Sequence, residues 1–186
     1  AEILSLYDDW CDHQRSGLVA LIADRGVGKS RVIRSVSEAI ESREDLTTPF
    51  MRIQCPMRSM TEEQAYQWLS ESLSLDLVRP TSAQLLESLL KLPPQFISVD
   101  DFHQSFRRSV GGFEGMVILL EIMHASSEHH FWLLNLHEPA WVYLKGVPGA
   151  VNLSVVRAQV HIRRLSARGA AEWLEGRARD QGLVLD

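Results

Sequence analysis

A loop with two glycines and a Lys-Ser pair is the stretch of this sequence best suited to chemistry. The residues from Ala23 to Ser30 read Ala-Asp-Arg-Gly-Val-Gly-Lys-Ser. Gly26 and Gly28 allow backbone angles that a side chain forbids, so successive N–H groups can point into one concavity and hold an anion. Lys29 would then reach the β- and γ-phosphates of a nucleotide, and the Ser30 hydroxyl would bind Mg²⁺.

The flanking residues predict a strand before this loop and a helix after it. Residues 18–22 are all apolar, and residues 31–40 have helical periodicity. Strand, glycine loop and helix in this order are typical of a phosphate-binding P-loop, in which the helix N-terminus adds positive charge. The alternative is a glycine-rich turn that binds nothing. The residues predicted to bind nucleotide are Ala23, Asp24, Arg25, Gly26, Val27, Gly28, Lys29, Ser30 and Arg31.

Length and composition are those of one globular domain. The 186 residues are 45% apolar and 23% charged, which excludes the disordered and fibrous classes. No apolar run within residues 1–186 approaches the roughly 18–20 residues that a membrane-spanning helix needs, and these residues contain no secretory h-region. Because the chain begins at Ala1 rather than at Met, we expect residues 1–186 to be one domain of a longer protein.

The net charge and the cysteines limit the classes of partner and ligand that the sequence supports. A net charge of −5 argues against a large non-specific nucleic-acid footprint, although a local basic patch remains possible. Cys11 and Cys55 offer neither a metal-ligand spacing nor a disulfide framework, and the seven histidines show no metal-ligand pattern. Reduced thiols fit the cytoplasm.

Apolar segments alternate with helical patterns along the chain. We predict strands over residues 18–23, 50–55, 95–99, 130–136 and 159–162. We predict helices over residues 1–16, 29–43, 61–73, 81–91, 114–126, 139–144 and 167–181, with N-caps at Thr61, at Thr81 or Ser82, and at Ser166. Alternating β and α units predict an α/β fold of three layers, αβα, in which a parallel five-stranded sheet lies between helices.

Two carboxylates follow the third predicted strand. Ligands of such sheets gather at the carboxyl ends of the strands, where Asp100 and Asp101 would lie. Asp100 would hold Mg²⁺ directly or through water, and Asp101 would polarise the attacking water as general base. Adjacent strand residues point to opposite faces, so the two cannot do the same job. The alternative is an Asp pair that satisfies turn amides.

Polar side chains also end the fourth predicted strand. Asn135 could orient the attacking water or the γ-phosphate from this position, and His137 is an equally placed alternative.

These segments together resemble the AAA+ and STAND branches of the P-loop ATPases. Ala23–Ser30 resembles Walker A, Phe96–Asp101 resembles Walker B, and Asn135 resembles the sensor 1 residue. The Cys55-Pro56 strand end is similar to that of origin-recognition and transposition-helper ATPases. The resemblance implies the strand order 5-1-4-3-2, with ATP or ADP and Mg²⁺ as ligands.

Several positions depart from the family pattern. Ala23 replaces the first glycine of the loop. Asp101 lies where hydrolysing AAA+ members usually carry Glu, and an Asp at this position is typical of the STAND branch and implies slow, switch-like hydrolysis. We expect no small helical lid after the last predicted helix within residues 1–186, so we assign no sensor 2 arginine. For an arginine finger, Arg157 is the best-placed candidate, with Arg107 and Arg108 as alternatives.

The sequence therefore predicts an ATP-binding module that hydrolyses ATP slowly and switches the conformation or assembly of a larger protein. Its expected partners are other domains of that protein or further copies of the chain. The alternative function is a nucleotide-binding scaffold with negligible hydrolysis. A small-molecule kinase is disfavoured because no arginine-rich lid is found. In the first helix, Tyr7 or Trp10 could contact the adenine, or could only pack in the core.

Overall fold

The computed structural model describes residues 2–43, 48–147, 149, 151–164, 166 and 169. The helices are α1 (Glu2–His13), α2 (Lys29–Glu41), α3 (Glu62–Ser72), α4 (Ser82–Lys91), α5 (Glu114–Ala125) and α6 (Glu138–Lys145). The strands are β1 (Leu18–Ala23), β2 (Phe50–Gln54), β3 (Phe96–Asp100), β4 (Phe131–His137) and β5 (Ala158–Ile162). Apart from Gly169, the helix predicted over residues 167–181 lies outside the described residues.

The five strands form one parallel sheet in the order β2-β3-β4-β1-β5. This is the predicted order 5-1-4-3-2 read from the other edge, so the predicted sheet and its strand order are confirmed. In this register Ala23 lies between His137 of β4 and Ile162 of β5. The last residue of β1 and the last residue of β4 therefore reach the same edge of the sheet.

Alternate residues of β1 pack into two separate cores, because successive strand side chains point to opposite faces. Leu18, Ala20 and Ile22 belong to the core that includes side chains of α3, α4, α5 and α6. Val19 and Leu21 belong to the core that includes side chains of α1 and α2. Helices therefore cover both faces of the sheet, which confirms the predicted three-layer α/β fold.

The aromatic residues of α1 lie in the second of these cores. Tyr7 is fully buried and Trp10 is 5% exposed, and their rings stack with centroids 5.6 Å apart. Both contact the ring of Phe131 edge-on. These contacts support the core-packing alternative for the two residues rather than a contact with adenine.

Two helices begin at the threonines that the sequence indicated. The side chains of Thr61 and Thr81 each accept a hydrogen bond from the backbone N–H three residues later. The glutamines at those later positions, Gln64 and Gln84, accept a hydrogen bond in return from the backbone N–H of the threonine. These reciprocal bonds satisfy amides that a helix start otherwise leaves unpaired. Between β3 and α5, residues Phe102–Ser105 form one short 3₁₀ helix.

Within the described ranges, no helix combines the length and apolar composition that a bilayer-spanning segment requires.

Candidate nucleotide-binding site

The loop between β1 and α2 has the backbone geometry that its glycines permit. Gly26 has φ +77° and Gly28 has φ +94°, a region that L side chains rarely adopt. A Cβ added at either residue would meet no atom within 4 Å, so backbone angle rather than crowding requires glycine here. Gly28 caps α2 without any side-chain hydrogen bond, in contrast to the threonine caps of α3 and α4. The first turn of α2 thus keeps backbone N–H groups available for an anion.

This loop lines a cavity of about 540 Å³ at the carboxyl edge of the sheet. That volume lies within the usual range of about 300–1,000 Å³ for small-molecule sites. The lining residues are Asp24, Arg25, Gly26, Gly28, Lys29, Ser30, Asp101, Gln104 and His137. Of the other predicted binding residues, Ala23 is fully buried at the end of β1, and neither Val27 nor Arg31 lines the cavity.

Lys29 projects from the start of α2 toward β4. Its Nζ donates a hydrogen bond to the carbonyl oxygen of Leu136 over 3.2 Å. Burial lowers the pKa of Lys29, and the charges of Asp101 and Asp100 partly oppose that effect. Since an ammonium has three N–H donors, two remain for a ligand in the cavity.

Asp100 and Asp101 have separate environments, but not as adjacent residues of one strand, because Asp101 lies in the turn that follows β3. Asp101 follows β3 with φ +51°, lines the cavity, and accepts a hydrogen bond at Oδ2 from Gln54 Nε2 over 3.2 Å. Asp100 does not line the cavity. Its Oδ2 accepts from Arg52 Nε over 2.6 Å, and its Oδ1 accepts from Asn135 Nδ2 over 2.8 Å.

Asn135 lies behind Asp100 rather than in the cavity. Its side chain is 1% exposed, and Nδ2 also lies 2.9 Å from the hydroxyl of Ser98 on β3. The amide oxygen of Asn135 is buried without a hydrogen-bond partner among the described residues. Of the two residues predicted as alternatives at the end of β4, the structure brings His137 to the cavity and places Asn135 in contact with Asp100.

A second imidazole, which sequence reasoning missed, lies against His137. His103 is in the 3₁₀ helix after β3, and the two rings stack with centroids 4.1 Å apart and planes at 28°. Burial, and then the neighbouring His137, lowers the pKa of His103 to about 4. Burial, and then the charge on Lys29, also lowers the pKa of His137. His103 lies three residues after the end of β3 and His137 is the last residue of β4, so their places at the ends of two neighbouring strands were the available signal.

Arg157 lies at the amino ends of the strands, at the opposite end of the sheet from the cavity. Its backbone N–H donates to the carbonyl of Leu18 at the start of β1 over 2.9 Å. Its guanidinium donates to the carbonyl of Ser16 over 3.2 Å and forms an ion pair with Asp9 of α1. The structure therefore does not bring Arg157 to the cavity, because a residue that precedes a parallel strand lies at the amino edge.

The two alternative arginines, Arg107 and Arg108, also lie away from the cavity, whereas Arg164, which was not among the predicted residues, lies close to it. The Arg108 guanidinium lies 4.0 Å from the ring centroid of Tyr143, and Arg107 is exposed and does not line the cavity. Arg164 follows β5 and lines an adjoining cavity of about 250 Å³ that also includes Arg25. Sequence reasoning missed Arg164, although its place just after a strand puts it at the carboxyl edge.

Solved structures similar to this chain share its fold at low sequence identity. The Orc1 protein of Aeropyrum pernix, solved in complex with DNA, is 16% identical with a TM-score of 0.66, covering 96% of this chain and 48% of that one. A Walker-type ATPase of Pyrococcus abyssi is 17% identical with a TM-score of 0.66, covering 100% and 59%. AMPPCP-bound DnaA of Aquifex aeolicus is 10% identical with a TM-score of 0.56, covering 98% and 52%. The chain thus spans about half the length of these proteins.

No curated protein matches the sequence. A family model described as an AAA domain matches residues 12–139, a range that runs from α1 through the P-loop and the end of β3 to the start of α6. Because this match covers more than half of the chain, the chain belongs to that family and is an AAA+ P-loop NTPase domain.

Proposed function

We propose that this chain binds ATP, with the phosphates held by the loop at residues 24–30. The observation that carries the proposal is the convergence of three anion-binding features on one cavity. These are the left-handed backbone at Gly26 and Gly28, the uncapped N-terminus of α2 and the ammonium of Lys29. Backbone amides, a helix N-terminus and a cation together favour a polyanion over any neutral ligand.

Individual side chains would divide the work of binding. Lys29 would donate its two remaining N–H groups to the β- and γ-phosphates. The residues that would hold Mg²⁺ are Ser30, through its hydroxyl at the start of α2, and Asp100. Since Asp100 does not line the cavity and is held by hydrogen bonds from Arg52 and Asn135, it would act on the ion through water. When bound, Mg²⁺ would neutralise charge on the phosphates.

Arginines would extend this site along the carboxyl edge. Arg25 lines both cavities and Arg164 lines the smaller one. A guanidinium can donate two parallel hydrogen bonds to a phosphate. We assign Arg164 to ATP binding on this ground, and we assign Arg157 to the structural contact between α1 and β5.

We further propose that the bound ATP is hydrolysed slowly. Asp101 is the carboxylate that lines the cavity and would take a proton from the water that attacks the γ-phosphorus, with ADP as leaving group. One oxygen of Asp101 already accepts a hydrogen bond from Gln54, and Asp is shorter than the usual Glu. The same two features support the alternative, a nucleotide-binding scaffold with negligible hydrolysis.

Single-turnover hydrolysis separates these two functions. With protein in excess over Mg²⁺ and ATP, we expect the wild type to form ADP slowly. Asp101→Asn should be slower by about 100-fold or more, since a general base contributes about 10²–10⁴-fold. The control Glu128→Gln changes an exposed carboxylate away from the cavity and should match the wild type. ATP binding without turnover in the wild type would favour the scaffold, and equal rates for wild type and Asp101→Asn would exclude Asp101 as the base.

The bound nucleotide would also affect the rest of the protein. We propose that exchange of ATP for ADP changes the conformation or assembly of the whole protein, through its other domains or through further copies of the chain. Membership of the AAA family supports this proposal. So does the length of the similar proteins, which is about twice that of this chain and leaves room for other domains. A nucleic-acid partner is suggested by the DNA complex of the Aeropyrum pernix Orc1 protein, but the net charge of −5 gives it no support. We assign the chain to the cytoplasm on its two free cysteines, Cys11 and Cys55.

A further inference from the structure

Three side chains of the types that bind metal ions meet beside the nucleotide cavity, and two of them, Asp101 and His137, line it. Asp101, His103 and His137 can each offer one ligand atom so that all three atoms lie within 4.8 Å of one another. His137 Nε2 lies 3.9 Å from Asp101 Oδ1, and the two imidazole rings are stacked. The cluster forms because β3 and β4 are neighbours in the sheet and these residues follow or end those strands.

The polar atoms of this cluster have few partners in the protein. His103 Nδ1 is buried and has no hydrogen-bond partner among the described residues. Burying a polar atom without a partner is unfavourable, so this nitrogen is suited to a ligand. Asp101 Oδ2 accepts from Gln54, while Oδ1 is the oxygen nearer His137.

The adjacent pair His129 and His130 differs from this cluster at Nε2, although His130 Nδ1 is also buried without a hydrogen-bond partner among the described residues. Their Nε2 atoms lie 2.7 and 2.9 Å from the carbonyl oxygens of Leu92 and Leu89, and a carbonyl can only accept. Each of these histidines therefore has a structural hydrogen bond at Nε2. His103 and His137 stack on each other beside an open cavity instead.

We propose that Asp101, His103 and His137 bind a divalent transition-metal ion such as Zn²⁺ or Co²⁺. Two imidazoles and one carboxylate suit these ions, whereas Mg²⁺ prefers oxygen ligands. Bonds of about 2.0–2.1 Å in a tetrahedral site would set the ligand atoms about 3.3 Å apart. The ligand atoms lie within 4.8 Å of one another, so the side chains would have to rotate to reach this spacing, and the stacked imidazole rings would have to turn their planes toward a common point. The cavity beside Asp101 and His137 would leave the fourth position to water.

This metal site would control the nucleotide site. A metal ion on Asp101 withholds the carboxylate from the attacking water, so metal occupancy and ATP hydrolysis exclude each other. That consequence rests on the proposed function. Metal binding by the three residues does not, because it needs neither ATP nor the P-loop.

The direct test is a Co²⁺ titration of the untagged, nucleotide-free protein, followed by visible absorption. We expect one ion per chain, with the stronger bands of four- or five-coordinate Co²⁺, and no displacement by excess Mg²⁺. His103→Gln and His137→Gln should each weaken binding by more than tenfold, because changes to outer partners alone cost about 10–100-fold. The control His124→Gln alters an exposed histidine on α5 and should bind as the wild type does.

The result that would overturn the proposal is the absence of a saturable site, or wild-type affinity in both His103→Gln and His137→Gln. Thermal unfolding verifies that each variant is folded, and Asp101→Asn, which keeps the size of the side chain, provides a third variant with the same expected loss. Lys29→Ala should lose ATP binding and retain Co²⁺ binding. Failure of the metal site and failure of the nucleotide site are therefore seen separately.

Discussion

The ammonium of Lys29 donates a hydrogen bond to the carbonyl oxygen of Leu136, 3.2 Å away, and so joins the P-loop to the end of β4. The side chain of the next residue of β4, His137, lines the cavity with Asp101. One short contact thus places the phosphate-binding cation beside the groups that end β3 and β4. The site is an arrangement of three neighbouring strand ends, and its parts can be tested one at a time.

Gly28→Ala should strain the P-loop. Gly28 has φ +94°, and holding a non-glycine residue in such a region costs about 1–3 kcal/mol. A Cβ there meets no atom within 4 Å, so the backbone angle is the whole cost. We expect urea denaturation to show a free energy of unfolding lower by about that amount, together with weaker ATP binding.

The control for this change is Gly146→Ala at the end of α6. Gly146 has φ −83°, an angle that alanine adopts freely. Its unfolding free energy should stay within about 0.5 kcal/mol of the wild type, the usual range for a surface change. Equal losses in the two variants would show that the backbone angle at Gly28 is not what matters.

Asn135→Ala should destabilise the β3–β4 edge. The amide donates to Asp100 and approaches Ser98, and it is 1% exposed. Its removal leaves buried polar groups without a partner, at a cost of about 1–3 kcal/mol. The control Asn152→Ala removes an exposed cap of a 3₁₀ turn and should cost less than 1 kcal/mol. A smaller loss at Asn135 than at Asn152 in chemical denaturation would contradict this account.

His130 should make the protein less stable in acid. Burial lowers the pKa of His130 to about 4, whereas an unfolded histidine titrates near 6.5. Between these values the unfolded chain binds a proton that the folded chain does not. Stability contributed by neutral His130 is therefore complete above about pH 6.5 and is lost as the pH falls toward 4, by up to about 1.4 kcal/mol per pH unit.

The measurement is the change in unfolding free energy between pH 7 and pH 5. We expect His130→Gln to lose about 1–2 kcal/mol less over this interval than the wild type does, even if its stability at pH 7 is lower. His124→Gln, at an exposed position, should retain the wild-type pH dependence. An unaltered pH dependence in His130→Gln would mean that this imidazole is protonated in the folded protein.

Arg164→Ala should weaken ATP binding, and Arg163→Ala should not. Both arginines are exposed, but of the two only Arg164 lines the cavity next to the P-loop. A charge-assisted contact to phosphate that is open to solvent should contribute about 1 kcal/mol, or about a fivefold change in Kd. The difference should shrink as salt increases. Equal affinities of the two variants at low salt would remove Arg164 from the site.

The P-loop and the fold could be predicted because their signals are local. Glycine positions, the Lys-Ser pair and the alternation of β and α segments are written in neighbouring residues, and the family resemblance supplied the strand order. Adjacency on a strand predicted separate roles for Asp100 and Asp101, but Asp101 lies beyond the end of β3. Which of them lines the cavity depends on the turn at Asp101, with φ +51°, and no residue type indicates that turn.

The rest of the site depends on contacts between distant segments. His103 meets His137 only because β3 lies beside β4. Arg157 was predicted from its place before β5, but that place puts it at the amino edge, where Asp9 of α1 forms an ion pair with it. Arg164, after the same strand, is the arginine that reaches the carboxyl edge.

The most direct test of the central claim is calorimetric titration of the full-length protein with ATP and Mg²⁺. We predict saturable binding of one ATP per chain and its loss in Lys29→Ala. Binding should be as in the wild type in Lys91→Ala, which removes an exposed lysine of α4 that pairs with Glu87. No binding by the wild type, or undiminished binding by Lys29→Ala, would contradict the claim that residues 24–30 hold the phosphates of ATP.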